Sequence, residues 1–127
     1  MKLVYRFIDL AEDEDYVRRQ DYFTCIQNIA GNPVGEPIVW EFVREHWEDL
    51  VNRFTLNERY MGRMIPAITA RFATVTKLEE METFFAKYPE AGAGTASRQQ
   101  ALETVKYNIN WMKTNLDEIT KWLTEQS

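Results

Sequence analysis

The chain has 127 residues, enough for one domain with its own hydrophobic core. Its 45% hydrophobic and 28% charged residues are typical of a folded globular protein and exclude a disordered one. The net charge of −5 argues against nucleic-acid binding, which needs a clustered basic surface. No stretch approaches eighteen consecutive apolar residues, so the sequence predicts no helix that spans a bilayer.

The first clear helical pattern follows the acidic run at residues 12–15, whose carboxylates favour the positive end of a helix dipole. The predicted apolar face of this helix consists of Tyr16, Tyr22, Cys25, Ile26 and Ile29. Cys25 is the only cysteine, so no internal disulfide is possible. We expect it to be a small buried hydrophobe, with a reactive thiol as the alternative. Upstream, Tyr5, Phe7 and Ile8 are expected to be exposed.

A Trp-rich segment follows the turn Asn-Pro-Val-Gly at residues 32–35. Pro37 suits the first position of a helix, where its missing N–H costs nothing. Apolar residues then recur every three or four positions at Trp40, Val43, Trp47, Leu50, Val51 and Phe54. This spacing predicts one helix of about four turns, and its tryptophans place that helix at the centre of the core.

Two more helices are predicted before the last segment. The first carries an apolar face of Met61, Met64, Ile65, Ile68 and Phe72. Pro66 should kink or delay this helix, and Gly62 four residues earlier should ease the bend. Residues 76–79 match a capping box and predict the start of the next helix, with Leu78, Met81, Phe84 and Phe85 inside. Residues 89–94 are expected to form the longest loop, and a flexible one.

The last segment has the most regular pattern, with apolar residues at Leu102, Val105, Ile109, Met112, Leu116, Ile119 and Leu123. A coiled coil is one interpretation, but Trp111 and Trp122 beside the seam favour a packed helix pair. Asn115 is expected to end one helix before Asp117 and Glu118 start the next. The whole pattern predicts an all-α fold, since no pair of strands is evident.

Several stretches resemble the C-terminal helical domain of the zinc aminopeptidases, which include aminopeptidase N, glutamyl aminopeptidase and the endoplasmic-reticulum aminopeptidases. These are Arg-Gln-Asp at 19–21, Ile-Ala-Gly-Asn-Pro-Val-Gly at 29–35, and Trp-Glu-Phe-Val at 40–43 with Trp47. Leu-Val-Asn-Arg-Phe-Thr-Leu-Asn at 50–57 and Phe-Phe-Ala-Lys-Tyr-Pro-Glu-Ala-Gly-Ala-Gly at 84–94 look most like glutamyl aminopeptidase (aminopeptidase A). The resemblance covers about residues 17–123.

The resemblance implies a single helical domain over residues 1–127, built as a HEAT-like α-solenoid of antiparallel helix pairs in a right-handed superhelix. It also implies a noncatalytic lid or scaffold domain that encloses the substrate cavity and supports folding of a zinc peptidase. The partners would be the parent enzyme's catalytic domain, which holds the zinc, and a peptide substrate at the cavity wall. The parent would be an ectoenzyme on the extracellular face of the plasma membrane.

The chain alone lacks the residues for zinc peptidase chemistry. That chemistry needs two histidines one helical turn apart and a glutamate base, in the pattern His-Glu-x-x-His. His46 is the only histidine, and Glu45 and Asp49 beside it are weak zinc ligands by themselves. We expect His46 to be a solvated or rim residue, with contact to an interface or a ligand as the alternative.

One arginine is a candidate substrate-binding residue because of the resemblance. In glutamyl aminopeptidases an arginine just after the Asn-containing loop is thought to reach the pocket for the first substrate side chain. Arg59 occupies the matching position, and a guanidinium suits a substrate carboxylate. The alternative is a surface arginine paired with Glu58 or nearby acids. Arg63 and Arg71 are expected to be solvated helix charges.

A second interpretation differs in class: a free-standing helical-repeat module that binds other proteins and has no peptidase activity. We also expect the isolated chain to self-associate, because exposed Tyr5, Phe7 and Ile8 indicate a terminal repeat whose apolar face is uncovered.

Overall fold

The computed structural model describes residues 2–126, in which seven α-helices and two 3-10 turns make up the regular structure. The helices are α1 (Lys2–Glu12), α2 (Tyr22–Ala30), α3 (Gly35–Glu45), α4 (Trp47–Phe54), α5 (Arg59–Thr69), α6 (Val75–Lys87) and α7 (Thr95–Gln126). One 3-10 turn spans Arg19–Asp21, and the other, here called the glycine turn, spans Gly92–Gly94. The predicted all-α class is confirmed, because the described residues contain no strand.

Helix α5 lies at the centre of the molecule, where it contacts α2, α3, α7 and the glycine turn. Its predicted apolar face is confirmed for Met61, Met64, Ile65 and Ile68, which are all buried. Phe72, predicted on the same face, is also buried but lies after the end of α5 at Thr69. Pro66 lies inside α5, which begins at Arg59 and continues to Thr69. The proline therefore neither delays nor ends the helix.

The Trp-rich segment forms two helices, so the prediction of one continuous helix is wrong. The break is at His46, whose φ of −107° and ψ of 17° are not helical. The His46 N–H makes the last helical bond of α3, to the Phe42 carbonyl (2.9 Å), while Glu48 and Asp49 lie in the first turn of α4. Carboxylates stabilise the start of a helix, so the second start has a physical basis. Trp40 and Trp47 are both buried in the core as predicted, although the helix at the centre of the molecule is α5.

Several predicted boundaries shift by a few residues. Helix α3 begins at Gly35, two residues before Pro37. Helix α6 is capped by Thr74, whose hydroxyl accepts from the Lys77 N–H (3.2 Å), so the capping box at residues 76–79 is wrong. Tyr16 is exposed ahead of α2 instead of lining its apolar face.

Two expectations about exposure and loops also fail. Ile8 is buried in α1, whereas Tyr5 and Phe7 are exposed as expected. The helix-free stretch at residues 13–18 is longer than the one at 88–91, so the segment after α6 is not the longest loop. Its second half is the glycine turn, which packs against α5.

Helix α7 has 32 residues and is about 48 Å long, so the predicted break at Asn115 is wrong. The Asn115 amide donates to the Trp111 carbonyl one turn earlier (2.9 Å), a bond compatible with a continuous helix. Val105 is the last buried residue of the described helix. Beyond it lies an exposed α7 stripe: Tyr107, Trp111, Leu116, Ile119, Trp122 and Leu123.

The exposed stripe contradicts the predicted packed helix pair at the C-terminal end, because α7 has no helix against this part of its surface in the described chain. None of the described helices is both long and apolar enough to cross a bilayer.

A polar cluster fastens α1 to α2 and α4. The Tyr22 hydroxyl donates to Glu12, and Arg53 donates to the other oxygen of the same carboxylate (2.9 Å). The Arg53 guanidinium also lies 5.2 Å from the centre of the Tyr22 ring. Burial, together with the hydrogen bond and charge of Glu12, raises the pKa of Tyr22 above its usual range.

The raised pKa of Tyr22 predicts a loss of stability in alkali. The folded chain holds the phenol proton more tightly than the unfolded chain, so this contribution is complete below pH 10 and is lost as pH rises further. Unfolding by urea should show a free energy that falls above pH 10 by up to about 1.4 kcal/mol per pH unit. Tyr22→Phe should remove most of that slope, and exposed Tyr107→Phe should keep it. Parallel slopes for wild type and Tyr22→Phe would contradict the prediction.

Candidate substrate-contacting site

Arg59 is the first residue of α5 and follows a short connection from α4. The connection begins at Thr55, whose φ of 68° and ψ of 154° are rarely adopted by a β-branched residue. Glu58 caps α5, and its carboxylate accepts from the Tyr60 N–H (3.4 Å). Arg59 is thus placed by a strained turn on one side and a capped helix start on the other.

The Arg59 side chain is exposed, and it forms no hydrogen bond or ion pair within residues 2–126. The nearest carboxylate in sequence, Glu58, turns instead to the helix start. The unpaired Arg59 guanidinium, in a chain of net charge −5, can bind an external carboxylate without first breaking an internal ion pair.

The other two arginines of this region differ from each other. Arg63 is exposed one turn after Arg59, as expected for a solvated charge. Arg71 lies beyond the opposite end of α5, where it donates to Glu36 (3.0 Å) and to the Ala30 carbonyl (2.8 Å). Arg71 therefore joins α2 and α3 to the segment after α5. It is exposed as expected for a solvated charge, but it lies outside the helix and carries an ion pair.

The glycine turn lies against the start of α5. The Ala93 N–H donates to the Leu56 carbonyl (3.3 Å), just upstream of Arg59. A Cβ built on Gly62 would lie 2.9 Å from the Gly94 Cα, so the two backbones are in direct contact. The structure thus gives Gly62 a packing role, whereas the sequence suggested one in easing a bend.

Arg98 is a buried arginine that sequence reasoning missed. Only 8% of it is exposed, and it donates to the Tyr88 carbonyl at the end of α6. Its guanidinium carbon lies 5.6 Å from the Trp47 ring centre and 4.9 Å from that of Phe85. Burial lowers the pKa of Arg98. The only sequence signal is its spacing from Ala101 and Val105 on the buried face of α7.

The described residues bring together no group of three or more potential metal ligands. His46 is half-buried, with its ring stacked on Phe42 at 4.3 Å between centres and its Nδ1 atom 3.0 Å from the Phe42 carbonyl oxygen. Cys25 is half-buried against the hydrophobic core.

The sequence matches the family of the ERAP1-like C-terminal domain over residues 1–107. It is 44% identical to glutamyl aminopeptidase of Rattus norvegicus over 122 residues, 96% of this chain. It is 46% identical to aminopeptidase A of Gloydius brevicauda over 95% of the chain, and 36% identical to aminopeptidase N of Mus musculus over 98%.

The all-helical fold and these similarities define a C-terminal domain of the aminopeptidase type. The chain belongs to the ERAP1-like C-terminal domain family, and corresponds to the C-terminal domain of proteins similar to glutamyl aminopeptidase. The predicted resemblance is confirmed. The chain spans 13% of the length of each of these three relatives.

Proposed function

We propose that the chain is the noncatalytic C-terminal domain of a zinc aminopeptidase, where it closes over the catalytic domain and encloses the peptide-binding cavity. The observation that carries this proposal is the match to a C-terminal domain family, combined with high coverage of this chain and 13% coverage of the rat glutamyl aminopeptidase. In this proposal the zinc ion and the peptide-cleaving residues belong to the parent's catalytic domain, and this chain supplies a wall of the cavity and supports folding.

The architecture proposed for that role is a HEAT-like, right-handed stack of antiparallel helix pairs forming one domain over residues 1–127. Contacts between successive helices, α1 with α2, α2 with α3 and α6 with α7, support it. Stacked helix pairs leave an extended concave surface, which suits a lid over a peptide. The parent would act as an ectoenzyme on the extracellular face of the plasma membrane, as implied by the resemblance to glutamyl aminopeptidase.

Within this lid, Arg59 is the proposed contact to the first side chain of an acidic peptide. Its support is threefold: the side chain is exposed, it is unpaired in the described chain, and it begins a helix whose first turn is fixed by neighbouring backbone. A guanidinium can bind a carboxylate through two parallel hydrogen bonds, which favours glutamate or aspartate over neutral residues.

Replacing Arg59 tests this role in the full-length aminopeptidase that carries the domain. A charge-assisted hydrogen bond contributes about 1.5–3 kcal/mol, so Arg59→Ala should lower kcat/KM for N-terminal glutamate substrates about 10- to 100-fold. Substrates with a neutral first residue should change less than about 3-fold. Arg59→Lys should recover part of the loss, because lysine keeps the charge without the planar fork.

Arg6→Ala is the matched control, since Arg6 is also an exposed arginine but lies on α1. It removes the same charge and should leave the ratio of acidic to neutral cleavage unchanged. Equal losses on acidic and neutral substrates in Arg59→Ala would refute the proposed contact.

The alternative function is a free-standing helical module that binds other proteins and has no peptidase activity. The exposed α7 stripe supports this alternative, because an apolar helix surface can bind a partner protein. An immunoblot of source tissue distinguishes the aminopeptidase domain from the free-standing module, because it gives the mass of the native polypeptide. We expect a band several times larger than 15.1 kDa. A band near that mass would instead support the free-standing module.

The isolated chain is expected to self-associate through the α7 stripe. Trp111 is 43% exposed and Trp122 is 58% exposed, and burying large aromatic and aliphatic side chains is favourable at about 25 cal/mol per Å². Light scattering of the purified chain should give a mass above that of a monomer. Leu116→Gln with Ile119→Gln should restore the monomer, while Asp117→Asn on the polar side of α7 should not. A strictly monomeric wild-type chain would count against the prediction.

A further inference from the structure

We propose that the glycine turn is a positioning element for Arg59, holding the first turn of α5 in the orientation that binds a substrate carboxylate. The inference rests on the proposed role of Arg59 and adds a second component to it. Three sets of contacts carry it: one to α5, one to the connection before α5, and one that anchors the turn itself.

The first contact joins the turn to α5 on the side that carries Arg59. Gly62 lies three residues after Arg59, and residues at this spacing are neighbours on one side of a helix. A Cβ on Gly62 would lie 2.9 Å from the Gly94 Cα, and a Cβ on Gly94 would lie 3.1 Å from the Gly62 Cα. Gly94 is buried. The turn and the helix therefore meet backbone to backbone, with no side chain that could adjust between them.

The second contact fixes the segment that leads into Arg59. Gly92 has a φ of 53°, and a Cβ there would lie 2.8 Å from both the Cβ and the carbonyl oxygen of Leu56. The same carbonyl accepts from the Ala93 N–H. The turn thus holds the backbone on both sides of Arg59, at Leu56 before it and at Gly62 after it.

The third set of contacts anchors the turn. The Thr95 hydroxyl donates to the Gly92 carbonyl (3.1 Å), and the Gly94 N–H donates to that of Ala91 (2.8 Å). Downstream of the turn, buried Arg98 of α7 donates to the Tyr88 carbonyl ahead of the turn and packs over the Phe85 ring. The Arg98 bond joins the segments before and after the turn, and in this proposal the turn acts as a fixed support for the start of α5.

A methyl group on Gly94 should therefore push the start of α5 by a few tenths of an ångström. Two parallel hydrogen bonds to a carboxylate depend on direction. A small displacement of Arg59 should therefore weaken the binding of acidic substrates and leave that of neutral substrates nearly unchanged. In the full-length aminopeptidase, Gly94→Ala should lower the ratio of acidic to neutral kcat/KM about 3- to 10-fold. The KM for acidic substrates should rise, and neutral cleavage should stay within about 2-fold.

A double-mutant cycle separates positioning from a general loss of structure. If the turn acts through Arg59, adding Gly94→Ala to Arg59→Ala should cause no further loss of acidic selectivity. Gly31→Ala is the matched control: its Cβ would lie 3.2 Å from the Asn28 carbonyl oxygen, a similar constraint, at the end of α2. It should leave the selectivity unchanged.

A second variant covers the case in which Gly94→Ala does not fold. Thr95→Val removes the hydroxyl that anchors the Gly92 carbonyl, at an exposed position and with nearly the same shape. It should lower acidic selectivity about 2- to 3-fold, again only when Arg59 is present.

The outcomes distinguish the two proposals. A selective loss in Gly94→Ala or Thr95→Val that vanishes in the Arg59→Ala background supports the positioning role. Equal loss on both substrates, or further loss of selectivity without Arg59, overturns it. Selectivity that depends on Arg59 but is unchanged in both turn variants overturns the positioning role alone. An Arg59→Ala enzyme with full acidic selectivity overturns the substrate contact and the positioning role together.

Discussion

The packing of Phe84 between two tryptophans is the interaction on which the rest of the structure depends. Its ring centre lies 5.7 Å from that of Trp40 and 5.2 Å from that of Trp47, both in edge-to-face geometry. Aromatic pairs in this arrangement contribute about 0.5–1.5 kcal/mol each beyond the burial of their area. The cluster joins α3, α4 and α6, and Arg98 from α7 lies over the same rings. The glycine turn is thereby held between α6 and α7.

The hydrophobic periodicity predicted which faces are buried better than it predicted where helices end. The buried face of α5 from Met61 to Ile68 was predicted correctly, because a buried helix must repeat its apolar residues every three or four positions, whereas Phe72, predicted on the same face, lies just past the helix end. The break at His46 and the continuity at Asn115 were predicted wrongly. The break coincides with the non-helical φ and ψ of His46, and Asn115 is accommodated inside α7 with its amide bonded to the Trp111 carbonyl; hydrophobic periodicity reports neither feature.

The candidate site was accessible to sequence reasoning only in part. Arg59 could be named because of the resemblance, since nothing in its own spacing separates it from Arg63. The contact between Gly62 and Gly94 joins residues far apart in the chain, and glycine has no side chain to indicate a partner. Arg98 was also missed, because an arginine in a polar stretch is typical of an exposed helix surface and its aromatic neighbours come from α4 and α6.

The uneven burial of the tryptophans gives the protein two separate optical reporters. Trp40 and Trp47 are at most 4% exposed inside the core, whereas Trp111 and Trp122 stand on the solvent side of α7. Emission from the first pair changes when the core opens, and emission from the second pair changes when something covers the long helix. A soluble quencher reaches only the second pair in the folded monomer. Docking of this domain onto another surface can therefore be followed separately from its unfolding, with no added label.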